Sequence, residues 1–403
     1  MKTFVKCLIT AVVAVAVTGT AVRIYDTILP PASGLTSGIR TDSMAGAKFD
    51  RINDLIKNEY LYDNYDVNKM EDAALKGYVA ALDEPYTSYF SADEFKSYTS
   101  NIEDSYVGVG IVVSVDEAAD KIIIIAPTED SPAREAGLLP GDYILAVNGK
   151  SYSGDELDAC VSSIKAGKAG TTVSLSIERN GTVAEYVVER KEISAHSVKG
   201  EMLDGEIGYI RISEFNTHGD ASKDTTYTEF KAKAKELTAQ GMKKLIIDVR
   251  DNPGGVLPVA CNVADYLLGD CLITYTETKS GSRKDYRSKG SELGIPMAVL
   301  INGNSASAAE VLTGALKDNN KAVVIGETSF GKGIVQEVMS FPDGSGISLT
   351  TAKYYTPSGV CIHEIGIEPD HKITLPEEFA GSYVSMIPHE KDTQLNKAME
   401  LLK

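Results

Sequence analysis

Two short runs carry the residue types that could do covalent chemistry: Ile301-Asn302-Gly303-Asn304-Ser305-Ala306-Ser307-Ala308-Ala309-Glu310 and, further on, Phe330-Gly331-Lys332-Gly333-Ile334-Val335-Gln336. The apolar run Met297 to Ile301 predicts a buried strand, and between Ala308 and Lys317 the residues Val311, Leu312, Ala315 and Leu316 recur at helical spacing. A small-residue turn therefore joins strand to helix. A serine in that turn stands at a helix N-terminus, where unpaired backbone N–H groups and the positive dipole end favour a developing oxyanion.

A serine hydroxyl is a weak nucleophile at neutral pH and needs a base, most often histidine. None of the five, His196, His218, His363, His371 and His389, lies in a Gly-rich or strand-end signature, and the chain has no Gly-x-Ser-x-Gly elbow of the esterase kind. Lysine is the alternative if burial strips its water and lowers its pKa. Lys332 fits: it lies between Gly331 and Gly333, precedes apolar Ile334 and Val335, follows a strand expected over Ala322 to Ile325, and has only Glu327 as a charged neighbour. Moving a lysine from ~10.4 to about 8 disfavours its charged form by roughly 3 kcal/mol, a size that burial can supply. On these features alone the ordinary reading outweighs the catalytic one, because small-residue turns are common packing devices and a lysine between glycines is usually solvated.

The pair N-x-S-A-S-A-x-E and F-G-K-G-x-V-Q resembles the core of the carboxyl-terminal processing peptidases, also called tail-specific proteases. The resemblance implies that Ser307, the second serine of the S-A-S-A run, is the nucleophile and that Lys332, 25 positions on, is the general base. It gives Gln336 the task of orienting the lysine and leaves Ser305 as a structural neighbour. The run Lys244 to Gly255 ends in Asp248-Val249-Arg250-Asp251-Asn252-Pro253-Gly254-Gly255, which matches the same family; read alone, it is an ordinary strand-to-helix loop. The resemblance assigns the oxyanion hole to the N–H of Gly254 or Gly255 together with that of Ala308. Tyr354 to Gly359 and Gly366 to Asp370 match as well, so the likeness covers about 48–403. No metal and no cofactor are expected.

These residues need a frame. From Gly205 strands and helices alternate: Ile207 to Ile212, a helix over Thr226 to Ala239, strand Lys244 to Val249, a helix over Leu257 to Leu268, and then the strand, helix and strand that bracket Ser307 and Lys332. Such alternation predicts an α/β layer with parallel pairing. Upstream, Tyr106 to Val113 alternates glycine with β-branched residues, Ser131-Pro132 opens a short helix that Gly137 stops, and Pro140-Gly141-Asp142 leads a strand to the turn Asn148-Gly149. This order resembles a PDZ domain over 104–190, in which Gly108, Val109, Gly110 and Ile111 would hold a peptide's terminal carboxylate while the peptide adds a strand. One departure stands out. Relatives often carry an Arg-Gly pair in the last helix-to-strand turn, and here that position reads Ala166.

The remainder sets limits. A chain of 403 residues with 43% hydrophobic content can build several cores, and a net charge of −17 without a basic cluster excludes nucleic acid as a partner. Lys2 and Lys6 precede the uncharged run Cys7 to Val22, which predicts export, the segment 1–22 being either a cleaved signal or a retained anchor. Residues 23–46 read as a linker, and 47–103 as an N-terminal helical region ending near Leu82-Asp83-Glu84-Pro85-Tyr86, to which the resemblance gives a packing and dimer-forming role. Five cysteines without C-x-x-C spacing make no framework; in an exported protein one bridge, for example Cys261 to Cys271, is possible. The expected fold class is α/β and multi-domain: a layered protease core over 191–375, an inserted PDZ domain, the N-terminal helices, and a tail with a helix over 376–403. The expected function is that of an exported serine endopeptidase acting on proteins or peptides with accessible C-termini. The alternative from another class is a catalytically silent PDZ scaffold.

Overall fold

The computed structural model describes residues 44–100, 106–116, 119–127, 131–139, 141–193, 197–217, 225–290, 292–379 and 382–403. The segment 1–22 and nearly all of the linker lie outside them, and among the described residues no helix is long and apolar enough to cross a membrane. Two compact units emerge, one of 44–97 with 337–350, the other of 98–336 with 351–403.

In the first unit, helix α1 (Met44–Glu59) begins three residues inside the expected linker, and α2 (Val67–Ala80) starts at Asp66, whose side chain accepts from Asn68 N and Lys69 N. Strand β1 (Ser88–Phe90) follows, then α3 (Ala92–Ser100). Phe95 of α3 packs so closely on Gly346 that a Cβ there would meet its ring at 2.2 Å. The turn after α2 is held by Glu84, whose carboxylate accepts from Tyr86 N, Thr87 Oγ1 and Thr350 Oγ1. Residues 337–350, read from sequence as part of the core, group with these helices because Gly346 to Ser348 pair antiparallel with β1.

The second unit opens with the PDZ module. Strand β2 (Tyr106–Gly108) leads into β3 (Ile111–Asp116), β4 (Lys121–Pro127), α4 (Pro132–Glu135), β5 (Tyr143–Val147), β6 (Lys150–Ser151), α5 (Leu157–Lys165), β7 (Thr172–Arg179), β8 (Thr182–Glu189) and β9 (Lys191–Ile193). Strands run in the order β3-β4-β5-β7-β8, and β9 returns to pair with β2. The core follows from period-two alternation: Val173, Leu175 and Ile177 of β7 are all buried, with Ile122, Ile124, Ile144 and Cys160. Asn148 and Gly149, at φ 49° and 81°, make the two-residue turn that their types favour.

The α/β layer comprises β10 (Val198–Leu203), β11 (Ile207–Ile212), α6 (Thr226–Ala239), β12 (Lys244–Asp248), α7 (Leu257–Leu267), β13 (Leu272–Thr278), β14 (Arg283–Arg287), β15 (Met297–Ile301), α8 (Ala308–Asp318), β16 (Ala322–Gly326), β17 (Ile334–Ser340), β18 (Gly346–Tyr355), β19 (His371–Lys372) and α9 (Thr393–Leu402). Its sheet runs β10-β11-β12-β15-β16-β19, parallel from β11 onward with β10 antiparallel at one edge. All five residues of β15 are buried, as a strand covered on both faces requires. Helices α6, α7 and α8 cover one face through Phe230, Val263 and Leu312, and α9 covers the other through Leu395, Ala398 and Leu402. The tail helix thus docks on this chain's own sheet. The hairpin β13–β14, which pairs with the last part of β18, was not anticipated from sequence, nor was β10. Cys160, Cys261, Cys271 and Cys361 are all free, so no bridge joins Cys261 to Cys271.

Candidate active site

The turn after β15 is built by side chains that answer backbone groups. Asn302 Oδ1 accepts from Asp251 N at 2.9 Å and Asn304 N at 3.1 Å. Ser305 Oγ donates to Val249 O at 2.8 Å and accepts from Asn302 N at 3.0 Å, so this hydroxyl is committed to joining two strand ends. Ser307 differs. It stands at the N-cap of α8 with φ 53° and ψ −115°, is fully buried, and among the described residues its Oγ has no hydrogen-bond partner. A side chain in that backbone region costs on the order of 1–3 kcal/mol, which the surroundings must offset.

Glu310 supplies much of that offset. One of its oxygens, Oε2, accepts from Ser307 N at 2.8 Å and from Lys332 N at 2.9 Å; the other accepts from Ser329 Oγ at 2.6 Å and Gly331 N at 2.8 Å. As the third helical residue, Glu310 reaches back to the cap as the acid of a capping box does, and it reaches across to the lysine loop as well. Burial pushes its carboxyl above the ordinary range, and the four donors pull the other way. Tyr354 makes a second bridge, its hydroxyl contacting Ser307 O at 3.1 Å and also Lys332 O. Ser307 and Lys332 are therefore tied together through two buried groups.

Lys332 is 3% exposed and Gln336, on β17, 5%. The loop before them folds tightly. Gly331 has φ 88°, and a Cβ on Gly333 would meet His363 N at 2.5 Å. His363 consequently lies beside the lysine, and its Nδ1 is buried without a partner among the described residues. His371 sits on β19, His389 stacks edge-on with Tyr209, and His196 and His218 lie outside the described residues.

The third component is the turn after β12. Asn252 donates from Nδ2 to Ile212 O at 2.9 Å and accepts at Oδ1 from Gly254 N at 2.8 Å, while its carbonyl accepts from Ala306 N at 2.9 Å. The N–H of Gly254, one of the two offered as an oxyanion donor, is thus engaged by Asn252. Both glycines are required. Gly254 has φ 106°, and a Cβ on it would meet Ser307 Cβ at 2.7 Å and Ala308 N at 2.9 Å; Gly255 has φ 127°, and a Cβ on it would meet Phe215 O at 2.0 Å. Beneath the turn Arg250, wholly buried, donates to Asp248, Asp392 and Gln394 Oε1. Burial opposes the Asp248 carboxylate, but Arg250, Arg211 and the Tyr209 hydroxyl more than offset this and hold its carboxyl below the usual range.

Sequence reasoning singled out neither Asn252, Tyr354 nor Glu310 as an organiser. Only Glu310 had a readable signal, three residues after a serine at a helix start. Among the described residues no group of His, Cys, Asp and Glu is arranged to hold a metal ion.

In the PDZ module Gly108 ends β2, Val109 is buried and accepts at its carbonyl from Ala133 N at 2.9 Å, Gly110 has φ 73°, and Ile111 starts β3. Ala166 ends α5 with φ −67° and ψ 92°. The turn it occupies is filled by another arginine: Arg190, 3% exposed, donates to Ile164 O at 2.6 Å, Thr172 O at 2.8 Å and Ser163 O at 3.3 Å.

The family model for peptidase family S41 matches residues 206–373, and that for the PDZ domain matches 107–189. Carboxy-terminal processing protease CtpA of Bacillus subtilis is 36% identical over 383 residues, 94% of this chain and 78% of its own length. CtpB of the same organism is 34% identical over 362 residues, 87% of this chain and 73% of its own. Among solved structures, the photosystem II D1 C-terminal processing protease superposes with a TM-score of 0.55 at 27% identity, covering 83% of this chain and 89% of that one. With the layered α/β core and the PDZ module already described, these matches establish that the chain belongs to peptidase family S41, as one of the PDZ-bearing carboxy-terminal processing proteases.

Proposed function

We propose that this chain is an exported serine endopeptidase that takes a protein's C-terminal tail into the loop Gly108 to Ile111 and hydrolyses peptide bonds with Ser307 and Lys332. The observation that carries the reading is the shared oxygen of Glu310, which accepts from both Ser307 N and Lys332 N beside a buried serine hydroxyl that has no partner among the described residues. In the neutral state Lys332 Nζ takes the Ser307 hydroxyl proton as Oγ attacks the peptide carbonyl carbon. The resulting oxyanion is met by the N–H groups of Gly255 and Ala308 at the start of α8. The lysine ammonium then passes its proton to the leaving amine, which departs and leaves the acyl group on Ser307. Water, losing a proton to the lysine in turn, releases the acid and restores the hydroxyl. Gln336 orients the amine. Burial of Lys332 supports this role, since removal from water disfavours the ammonium.

The test uses the purified protein with an unfolded substrate. Ser307→Ala should abolish cleavage, and Ser305→Ala should leave some, since the Ser305 hydroxyl already serves Val249 O and Asn302 N. Lys332→Arg should be inactive because guanidinium cannot release its proton. The wild-type rate should rise through the neutral-to-alkaline range on one ionisation. If Lys332→Arg cleaved near the wild-type rate while His363→Gln did not, the neighbouring histidine would be the base. If Ser307→Ala cleaved like the wild type, the scaffold reading would gain, with tail binding as the sole activity. Fractionating cells that make the full chain tests export.

A further inference from the structure

The segment 382–403 reaches the active centre through contacts that packing of α9 on the sheet does not require. Asp392 caps α9, its Oδ1 accepting from Gln394 N at 3.1 Å and Leu395 N at 3.0 Å. The same carboxylate grips Arg250, with Nη1 to Oδ1 at 3.0 Å and Nη2 to Oδ2 at 2.8 Å, and Gln394 Oε1 accepts from Nη1 at 2.8 Å. A second arm arrives one residue along, where Val384 N donates to Asp251 Oδ2 at 2.8 Å. The other oxygen of Asp251 accepts from Asn302 Nδ2 at 2.7 Å and Asn304 Nδ2 at 3.0 Å, in the turn that ends at Ser307. Arg250 and Asp251 lead directly into Asn252, Gly254 and Gly255.

We propose that this segment is a positioning element of the active centre: Asp392 and Gln394 fix Arg250, Val384 N fixes Asp251, and the two arms together set where the oxyanion turn lies relative to Ser307. The chemistry favours this over mere anchoring. Docking of α9 is supplied by Leu395, Ala398 and Leu402, whereas burying a guanidinium with a carboxylate from each side is a costly way to add stability and a good way to fix geometry. Asp251 holds φ 57°, a conformation that needs outside support, which arrives at its N–H from Asn302 and at its carboxylate from Val384, Asn302 and Asn304. The inference rests on the proposed Ser307 site.

The test is a split of kcat from KM. Asp392→Asn keeps an oxygen to cap α9 and removes one charge-assisted contact to Arg250. It should lower kcat roughly ten- to hundredfold with KM within about twofold, the pattern of misplaced catalytic groups rather than of lost substrate binding. Affinity for a peptide boronate, whose tetrahedral adduct presents an oxygen to the oxyanion donors, should fall by a similar factor. Leu402→Ala, which loosens α9 without touching Arg250, should keep kcat at a temperature where both variants are folded. Should Asp392→Asn fail to fold, Gln394→Met carries the same measurement. An unchanged kcat, a change in KM alone, or equal losses in Leu402→Ala would overturn the proposal. Retained cleavage by Ser307→Ala would instead remove the site on which it rests, so the two failures are distinguishable.

Discussion

The turn at Ser307 and the PDZ loop are made of similar material, small residues and glycines that leave backbone N–H groups unshielded, and they are held in different ways. Around Ser307 the turn is tied by side chains buried at 0–1% exposure: Glu310 to four donors, Asn252 to Ile212 O and Gly254 N, and Ser305 to Val249 O. At Gly108 to Ile111 the ties are backbone ones, the pairing of Gly108 with Lys191 and of Ile111 with Pro127 and the bond from Ala133 N to Val109 O, together with burial of the Val109 side chain. The difference follows from the work each region would do. A reacting oxyanion must be met within a fraction of an ångström, whereas an added strand brings its own backbone pairing and can adjust.

The sharpest way to break that comparison is Glu310→Ala. It orphans Ser307 N, Gly331 N, Lys332 N and Ser329 Oγ, each at a cost of about 1–3 kcal/mol if left unsatisfied. Cleavage should drop to the Ser307→Ala background, with a lower melting temperature. Activity within tenfold of the wild type would mean that the turn does not depend on its buried acid.

A smaller loss is expected from Gly254→Ala, which forces a Cβ to within 2.7 Å of Ser307 Cβ at φ 106°. A fall in kcat of about a hundredfold, in a protein that still folds by circular dichroism, is the outcome consistent with a site sensitive to small displacements. Weaker again, Gly110→Asp should reduce cleavage of long substrates by about tenfold through KM, by repelling the incoming carboxylate, and leave short peptides untouched. Equal losses on both substrates would show that the loop supports folding instead.

The mildest effect concerns pH and stability. The Asp248 carboxyl is held below its ordinary value in the folded state, so its contribution to stability is fully present above the unfolded value of ~3.9 and is lost as pH falls through the lower folded one. The melting temperature should therefore not reflect this group between pH 5 and 8. In Asp248→Asn, whatever part of the acid decline this carboxylate causes should vanish; an identical acid limb in the variant would assign the decline to other groups.

Regular elements were legible because their signal is local. The helices Thr226–Ala239 and Ala308–Asp318 and the strand Met297–Ile301 follow from apolar spacing, and the PDZ strands from alternation and the Asn148-Gly149 turn. The hairpin β13–β14 escaped because its exposed strand Arg283–Arg287 is charged at every position but Tyr286 and has no apolar period.

By itself the sequence determined the layered α/β class, the PDZ module, and the two runs that hold Ser307 and Lys332, since each depends on residues near one another in the chain. Only the tertiary structure decided that Gly254 N is taken by Asn252, that Glu310 accepts from residues at both 307 and 332, and that Asp392 holds Arg250 from 142 positions away. Those contacts join parts of the chain that carry no mutual periodicity. A buried charge or orphan N–H is costly enough to demand a partner, but only the folded chain decides which one comes within hydrogen-bonding distance.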